Sequence, residues 1–181
     1  MTRIAILSSL LAVCLGIAAQ AQTAPAKPGP ELQKLHVFVG HWKGEGTIQP
    51  GPFSHVGKEN FEETDEMILG GFFLQMRVTL KEAGRQDLWV IGYDPVNNNY
   101  PATHFLGDGR VTTRTYTLDG STWRYTGKFS AAGKQYQFRG TATFAADGMS
   151  YTNKGEFSPD GNTWSPAWDE KITKAKPGPK K

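Results

Sequence analysis

Turn dipeptides divide most of this chain into short segments of similar length. An aspartate–glycine pair occurs four times between stretches of alternating polar and apolar residues, at Asp108-Gly109, Asp119-Gly120, Asp147-Gly148 and Asp160-Gly161. Both central residues of a type I′ hairpin turn need positive φ, and Asp-Gly suits that turn. The spacing therefore predicts about ten β-strands joined by short connections. None of these connections is long enough for a crossover helix, so the predicted sheet is antiparallel.

Polar and apolar residues alternate within these segments, as on strands with one buried face. The most regular run has an apolar face that consists of Phe72, Leu74, Met76, Val78 and Leu80. The same period occurs over 122–129 and 135–144, where aromatic residues share one face. In the run 72–80 the more apolar set is predicted to point toward the protein interior.

A sheet of ten sequential strands would leave two unpaired edges and one apolar face in water. Closing the sheet into a barrel removes the edges, whereas a sandwich, the alternative, needs long Greek-key returns. Before the first strand, apolar residues recur at helical spacing, at Leu32, Leu35, Phe38 and Val39. The predicted fold is all-β: a single antiparallel up-and-down barrel of about ten strands with a short N-terminal helix. A barrel of this size has room for a ligand cavity.

The first residues have the pattern of an export signal. Arg3 precedes an apolar run from Ile4 to Ala19, and Ala19-Gln20-Ala21 has the small-x-small pattern of a cleavage site. Residues 1–21 are therefore predicted to be a signal peptide, which would place the mature protein in the periplasm or outside the cell. A flexible proline-rich spacer is expected at 22–30, the barrel domain at 31–174 and a basic disordered tail at 175–181.

The single cysteine, Cys14, lies inside this predicted signal. A second interpretation is a lipoprotein signal with Cys14 as the lipidated residue, but Val13 departs from the small residue of that motif. After cleavage the chain would have no thiol for disulfides or zinc–cysteine sites. The formal charge of +3 does not indicate a nucleic-acid surface. No later run reaches the roughly 20 apolar residues of a membrane helix.

One motif follows directly after the predicted helix, the stretch Gly40-His41-Trp42-Lys43-Gly44-Glu45-Gly46. It resembles the Gly-x-Trp first-strand signature of lipocalin-like (calycin) barrels. Together with the segments 69–76 and 91–100, the order of motifs resembles the bacterial family called domain of unknown function 1579, over most of 31–174. The resemblance implies a lipocalin-like barrel in an exported or cytoplasmic bacterial protein, and it implies no reaction. It also implies that Trp42 packs at the barrel floor beneath a basic side chain of the last strand, either Lys171 or Lys174.

The predicted interior residues are also candidates for binding a small apolar or amphipathic ligand. Such pockets combine apolar walls with a few polar anchors, and His104 is the candidate anchor because it shares a strand face with Tyr100 and Ala102. The ligand-binding candidates are Phe72, Leu74, Met76, Trp89, Tyr100, His104, Trp123, Tyr125, Tyr136 and Phe138.

Other chemistry-bearing patterns do not indicate a metal, a cofactor or a catalytic residue. His36 and His41 are five positions apart and share no helical face, so they make a poor chelating pair. Heme-binding barrels of the nitrobindin type, a related calycin group, use a histidine close to the C-terminus, and this chain has none after His104. The motifs of serine hydrolases, zinc proteases, phosphate loops and dinucleotide sites do not occur.

Two groups of charged residues are predicted to lie in solvent rather than in a site. The first is an acidic segment divided between two strand faces, with Glu59, Glu63 and Asp65 on one and Glu62 and Glu66 on the other. The second group is predicted to decorate the barrel exterior rather than to form an anion-binding patch, and comprises Arg110, Arg114, Arg124 and Arg139.

Three functions are compatible with these patterns. The first is an exported barrel that binds a small apolar or amphipathic molecule. The second is an envelope module with a filled barrel, which binds a partner protein through a loop such as 93–100. The third is a hydrolase or isomerase that uses His104 and a rim carboxylate as acid and base. Uptake of an apolar dye would separate the first from the second, and lost activity in His104→Ala would support the third.

Overall fold

The computed structural model describes residues 27–175. The predicted signal peptide at 1–21, most of the predicted spacer and the tail beyond residue 175 lie outside the described residues. A short helix, α1 (Pro30–Gln33), continues as a 3₁₀ turn over Lys34–Val37. The strands that follow are β1 (Gly40–Ile48), β2 (Gly57–Ile68), β3 (Phe73–Leu80), β4 (Arg85–Ile91), β5 (Tyr100–Phe105), β6 (Val111–Asp119), β7 (Thr122–Ala131), β8 (Lys134–Phe144), β9 (Ser150–Ser158) and β10 (Ser165–Lys174).

The ten strands form one closed antiparallel barrel in which each strand pairs with its neighbours in the sequence. The ring closes where β1 pairs with β10, with Trp42 opposite Lys174 and Ile48 opposite Trp168. The predicted up-and-down barrel with a short N-terminal helix is therefore confirmed. Because the ring is closed, none of these ten strands is left as an unpaired edge.

The alternating strand directions give the barrel two different ends. One end, the floor, holds α1 and the connections that precede β3, β5, β7 and β9. The other end, the mouth, holds the connections 49–56, 81–84, 106–110, 132–133 and 159–164. The floor is closed from below by Leu35, Phe38 and Trp42, which are 0 %, 4 % and 1 % exposed.

Trp42 is the central side chain of the floor. Its indole Nε1 donates a hydrogen bond of 2.6 Å to the backbone carbonyl of Phe38, and the ring of Tyr151 meets it edge-on. The Nζ atom of Lys174 lies 4.8 Å from the centre of the indole, a distance at which a cation is attracted to the ring. Of the two predicted basic partners, Lys174 covers Trp42, whereas Lys171 is exposed and lies opposite Glu45 in the ladder.

The hairpin turns differ from the prediction in their backbone conformation. At the four Asp-Gly pairs only the glycine has positive φ, with values between +60° at Gly120 and +87° at Gly109. The predicted type I′ geometry at these pairs is therefore wrong. Among the two-residue hairpin loops of residues 27–175, positive φ at both positions occurs at Ala132-Gly133, with values of +49° and +74°. A type I′ turn of this kind matches the twist of the flanking strands β7 and β8.

The Ala132 turn leads to a test of this geometry. We expect Ala132→Asn to raise the free energy of unfolding by about 0.5–1 kcal/mol, because asparagine tolerates φ near +50° better than alanine does. Urea unfolding would measure the gain. Ala83→Asn is the matched control, since Ala83 also precedes a glycine but has no positive φ and should give no gain. An equal change in the two variants would contradict the explanation.

Candidate ligand-binding cavity

The barrel encloses a cavity of about 280 Å³ between the floor and the mouth. Most of its wall is aromatic or apolar, and includes Phe53, Phe61, Met76, Trp89, Tyr125, Phe129, Phe138 and Trp168. Charged side chains and histidines also reach it, namely His55, Glu59, Glu63, Arg85, Asp87, His104, Arg110, Arg114 and Glu170. The volume is close to the lower end of the roughly 300–1,000 Å³ that small-molecule pockets occupy. The barrel interior is therefore not completely filled by its own side chains.

The cavity brings together half of the residues predicted to bind a ligand. Those that line it are Met76, Trp89, His104, Tyr125 and Phe138. All five belong to the middle or mouth-side part of their strands and point inward. Whether they bind a ligand stays a prediction, but their common position in one cavity agrees with the pattern from which they were chosen.

The other five predicted residues do not line the cavity, and three of them lie deeper in the barrel. Leu74, Tyr100 and Trp123 point inward as expected, but they are 0 %, 3 % and 2 % exposed and pack at the floor. Phe72 lies in the floor connection before β3 and packs against the same core. Tyr136 lies near the mouth, where it stacks on Phe129 with 5.3 Å between ring centres. Alternation shows which face of a strand points inward, but it does not show at which height of the barrel a residue lies.

The acidic segment in β2 contradicts the prediction that all its carboxyl groups lie in solvent. Glu59, Glu63 and Asp65 were expected in solvent, but they point into the barrel and are 3 %, 6 % and 3 % exposed. The opposite set, represented by Glu62, is on the outside. The division into two faces is correct and the orientation is wrong. The available signal was Phe61, which shares the face of the three buried acids and is itself 6 % exposed.

Glu63 and Asp65 form a carboxyl pair near the floor. The phenol of Tyr151 donates a hydrogen bond of 2.9 Å to Oε1 of Glu63, whereas neither carboxyl oxygen of Asp65 receives a hydrogen bond from another described residue. Burial, and then the charge of Glu63, raise the pKa of Asp65 to about 11. Asp65 is therefore protonated at neutral pH, so its hydroxyl is available as a donor to Glu63.

A second polar chain crosses the cavity wall between β7 and β10. The indole Nε1 of Trp168 donates to the Tyr125 hydroxyl at 2.9 Å, and this hydroxyl donates to Oδ1 of Asn153 at 2.6 Å. The amide nitrogen of Asn153 then donates to Oε2 of Glu170, also at 2.6 Å. Burial raises the pKa of Glu170 to about 7, because it outweighs the hydrogen bond from Asn153. Glu170 is therefore only partly ionised at neutral pH.

Two glycines leave the space in the cavity wall that the rings of Tyr125 and Trp168 occupy. Gly140 lies opposite Tyr125 and Gly155 lies opposite Trp168, and the two glycines are paired with each other. A Cβ atom at Gly155 would lie 2.1 Å from the Trp168 ring, and one at Gly140 would lie 2.3 Å from the Tyr125 hydroxyl. Both distances are too short for real atoms, so a side chain at either position would push its ring into the cavity.

A third hydrogen-bond network, centred on Asp87, connects β4, β5 and the connection 106–110 at the mouth. His104 Nε2 lies 3.0 Å from Oδ2 of Asp87, and the Arg85 guanidinium and the Gly107 N–H also donate to this carboxylate. These donors lower the pKa of Asp87 although burial opposes them. Burial lowers the pKa of His104, so the imidazole is neutral at pH 7 and holds its proton on Nε2. One face of the His104 ring stacks on the ring of Trp89, with 3.6 Å between the ring centres.

The predicted exterior position of Arg114 is also wrong, because this side chain points into the cavity. The central guanidinium carbon lies 3.9 Å from the ring centre of Trp89 and 4.7 Å from that of Tyr125. Within residues 27–175 its one side-chain hydrogen bond is donated by Nη1 to the Tyr116 hydroxyl at 3.3 Å. The Nε atom is buried and has no acceptor among the described residues. The signal in the sequence was Tyr116, an aromatic residue on the same strand face.

The remaining arginines of that group are exposed, as predicted, and each contacts a neighbouring carboxylate. Arg110 lies at the mouth, where it also lines the rim of the cavity, and its Nη2 is 2.6 Å from Asp108. The two on the outer faces of β7 and β8 have the same kind of partner, Asp119 at 3.6 Å for Arg124 and Glu156 at 2.8 Å for Arg139. Since each arginine is paired with a different carboxylate, these side chains do not converge on a common anion.

Residues 27–175 contain neither a candidate metal site nor a candidate membrane-spanning helix. Among residues 27–175, no three His, Cys, Asp or Glu side chains are grouped so that they could hold a metal ion. His41 lies on the outer face beside Thr64, and His55 hydrogen-bonds the carbonyl of Lys58. The same part of the chain contains no helix with the length and apolar composition needed to cross a membrane.

A closed ten-stranded antiparallel barrel with a tryptophan in its floor defines the protein as a lipocalin-like barrel. The chain belongs to the family described as protein of unknown function (DUF1579), whose model matches residues 27–163. The crystal structure of Rv2717c from M. tuberculosis is similar to it, with a TM-score of 0.54 at 13 % sequence identity. This similarity covers 82 % of the present chain and 99 % of the other, and it shows the fold alone. No curated protein gives a significant match to the chain.

Proposed function

We propose that this protein is exported and binds a small amphipathic molecule inside its barrel. The observation that carries the proposal is the cavity of about 280 Å³, whose wall combines aromatic rings with a few polar side chains. Phe53, His55 and Leu106 of the mouth connections contribute to the lining, so the cavity reaches the end of the barrel that α1 does not cover. The export signal predicted at 1–21 supports a site of action outside the cytoplasm.

Acid–base catalysis is a second candidate, and the hydrogen bond between His104 and Asp87 is the observation that favours it. The same carboxylate also holds Arg85 and the backbone of Gly107. One network therefore fixes β4, β5 and the connection 106–110 relative to one another. This is the role of a structural tie at the mouth, and it makes ligand binding the function that we favour.

Reducing the cavity provides the test of binding. Val78 lines the cavity, whereas Thr79 is its exposed neighbour on the outer face of β3. We expect the neutral probe 2-naphthamide to bind the wild-type protein and Thr79→Phe equally. Binding to Val78→Phe should be weaker by about tenfold or more, because the added ring occupies the ligand's space.

The tryptophans of the protein supply the measurement. Trp89 and Trp168 line the cavity, so bound 2-naphthamide should change their fluorescence along a saturable one-to-one curve. The proposed function is overturned if the wild-type protein gives no saturable change with 2-naphthamide or with charged probes of the same naphthalene body. It is also overturned if Val78→Phe binds the probe as well as Thr79→Phe does, because the probe would then bind elsewhere.

A further inference from the structure

The guanidinium of Arg114 is held by aromatic rings rather than by an acid. Besides Trp89 and Tyr125, the ring of Phe138 lies 5.1 Å from its central carbon. Rings stack on the flat faces of a guanidinium group and leave its N–H groups, which lie in the plane, free to donate. The cationic group is thus fixed in the cavity wall while most of its hydrogen-bonding capacity is unused.

The cavity offers this arginine almost no acceptors. Of its five N–H donors, one makes the hydrogen bond to Tyr116, and the buried Nε–H has no partner among the described residues. Among residues 27–175, no carboxylate oxygen lies within 4.0 Å of its nitrogens. Buried donors and buried charges without partners are unfavourable, so an acceptor supplied by a ligand would improve this site.

The acids around the cavity are in the opposite situation, because each already has a donor from the protein. Glu59 accepts the backbone N–H groups of Glu82 and Ala83 at 3.0 and 3.1 Å. Asp87 is held by the mouth network, and Glu63 is bonded by Tyr151. Glu170 accepts from Asn153 and is partly protonated at neutral pH. A ligand that enters the cavity can therefore gain hydrogen bonds by accepting from Arg114, whereas these four acids already have donors.

We propose that the ligand is a small organic anion, a carboxylate on an apolar and preferably aromatic body, and that Arg114 binds its charged group. This inference rests on the proposed function and specifies the chemical class of the ligand. A carboxylate can accept two parallel N–H bonds from a guanidinium, the geometry in which that pair is strongest. The rings of Phe129 and Trp168 on the cavity wall would then contact the apolar body.

Three probes with one naphthalene body and different charges test this assignment. They are 2-naphthoate, 2-naphthamide and 2-naphthylmethylammonium, each titrated against the wild-type protein with tryptophan fluorescence as the readout. We expect 2-naphthoate to bind about tenfold or more tightly than the amide, because charge-assisted hydrogen bonds are stronger than neutral ones. Equal binding of the acid and the amide, or tightest binding of the ammonium probe, would overturn the anion assignment.

Variants then locate the preference. Arg114→Gln should bind 2-naphthoate and 2-naphthamide within about twofold of each other, while its affinity for the amide stays near that of the wild-type protein. Arg124→Gln removes the same charge on the outer face of β7, away from the cavity, and should keep the preference for the acid. A preference that survives in Arg114→Gln would overturn the role of Arg114.

Two failures of different kinds are distinguishable in this design. If the wild-type protein binds the amide but does not prefer the acid, the proposed function stands and the anion assignment falls. If it binds none of the three probes, both fall. Should Arg114→Gln not fold, Arg114→Lys keeps the charge but lacks the planar fork, and it should lose most of the preference.

Discussion

Replacing Trp42 with alanine is expected to lower the free energy of unfolding by about 3–5 kcal/mol, the usual cost of removing a buried aromatic side chain. The indole is 1 % exposed, donates to the backbone of Phe38 and lies beneath Lys174. Its loss would leave a hole in the floor and a carbonyl without a donor. For a domain of this size the melting temperature should fall by roughly 10 °C, which thermal unfolding followed by circular dichroism would measure.

Trp164 provides the matched control for this variant. It lies in the mouth connection 159–164, outside the barrel, with the guanidinium of Arg139 4.1 Å from its ring centre. Trp164→Ala makes the same chemical change at a partly exposed site, so we expect a loss of about 1 kcal/mol or less. Equal losses in the two variants would mean that Trp42 has no special role in closing the floor.

Replacing Asp65 with asparagine is expected to have the opposite effect, a gain on the order of 2–4 kcal/mol in the free energy of unfolding at pH 8. The folded protein keeps a proton on this carboxyl, whose pKa burial and Glu63 raise to about 11. An unfolded aspartate releases that proton near pH 4. At pH 8, about four units above that value, keeping the proton costs the folded protein about 1.4 kcal/mol per unit, and the cost of burying an amide in its place offsets part of the gain. Asparagine is neutral in both states and still offers Glu63 an N–H donor.

The pH dependence of this effect has a definite sign. Because the pKa of Asp65 is raised on folding, its contribution to stability is complete below about pH 4 and is lost progressively as the pH rises. The wild-type protein should therefore lose stability between pH 5 and pH 8, and Asp65→Asn should lose less. Glu170, whose pKa burial raises to about 7, adds a slope of the same sign to both proteins. The difference between the two curves removes this shared slope and reports the titration of the Glu63–Asp65 pair.

Glu66→Gln is the control for the removal of one acidic group from β2. Glu66 is exposed and accepts a hydrogen bond from Gln75 at 2.9 Å, so its replacement should change the free energy of unfolding by less than about 0.5 kcal/mol. Urea unfolding at several pH values would compare the three proteins. A loss of stability in Asp65→Asn at pH 8 would show that the buried carboxyl is not the neutral group described above.

The fold could be predicted because two independent signals in the sequence agree. Period-two alternation gave the strands, and regularly spaced turn residues gave their antiparallel order; the inward set of β3, with Leu74 and Met76 buried, followed from the same alternation. The turn geometry was missed because three of the four Asp-Gly pairs lie in connections longer than two residues. In such loops one glycine takes the left-handed position, and the aspartate before it keeps negative φ.

The cavity could be predicted only in part, because the sequence does not show which polar residues a barrel will bury. Glu63 and Arg114 are of types that are almost always exposed, so their inward orientation contradicts residue preference. Phe61 and Tyr116 on the same faces were the opposing signals. Height along the barrel was the other missing quantity. It depends on strand tilt and register, and it decides that Trp123 packs in the floor whereas Tyr125, two residues later, lines the cavity.

The pairing of β1 with β10 sets the order in which the protein can be assembled. Trp42 and its cover Lys174 lie near the two ends of the described chain, in the first and last strands. Until the final strand is available, β1 and β9 both offer unpaired edges and the apolar interior stays open to water. Contacts between such distant residues also form slowly. Completion of the floor and loss of the exposed edges therefore both depend on the last ten residues of the barrel.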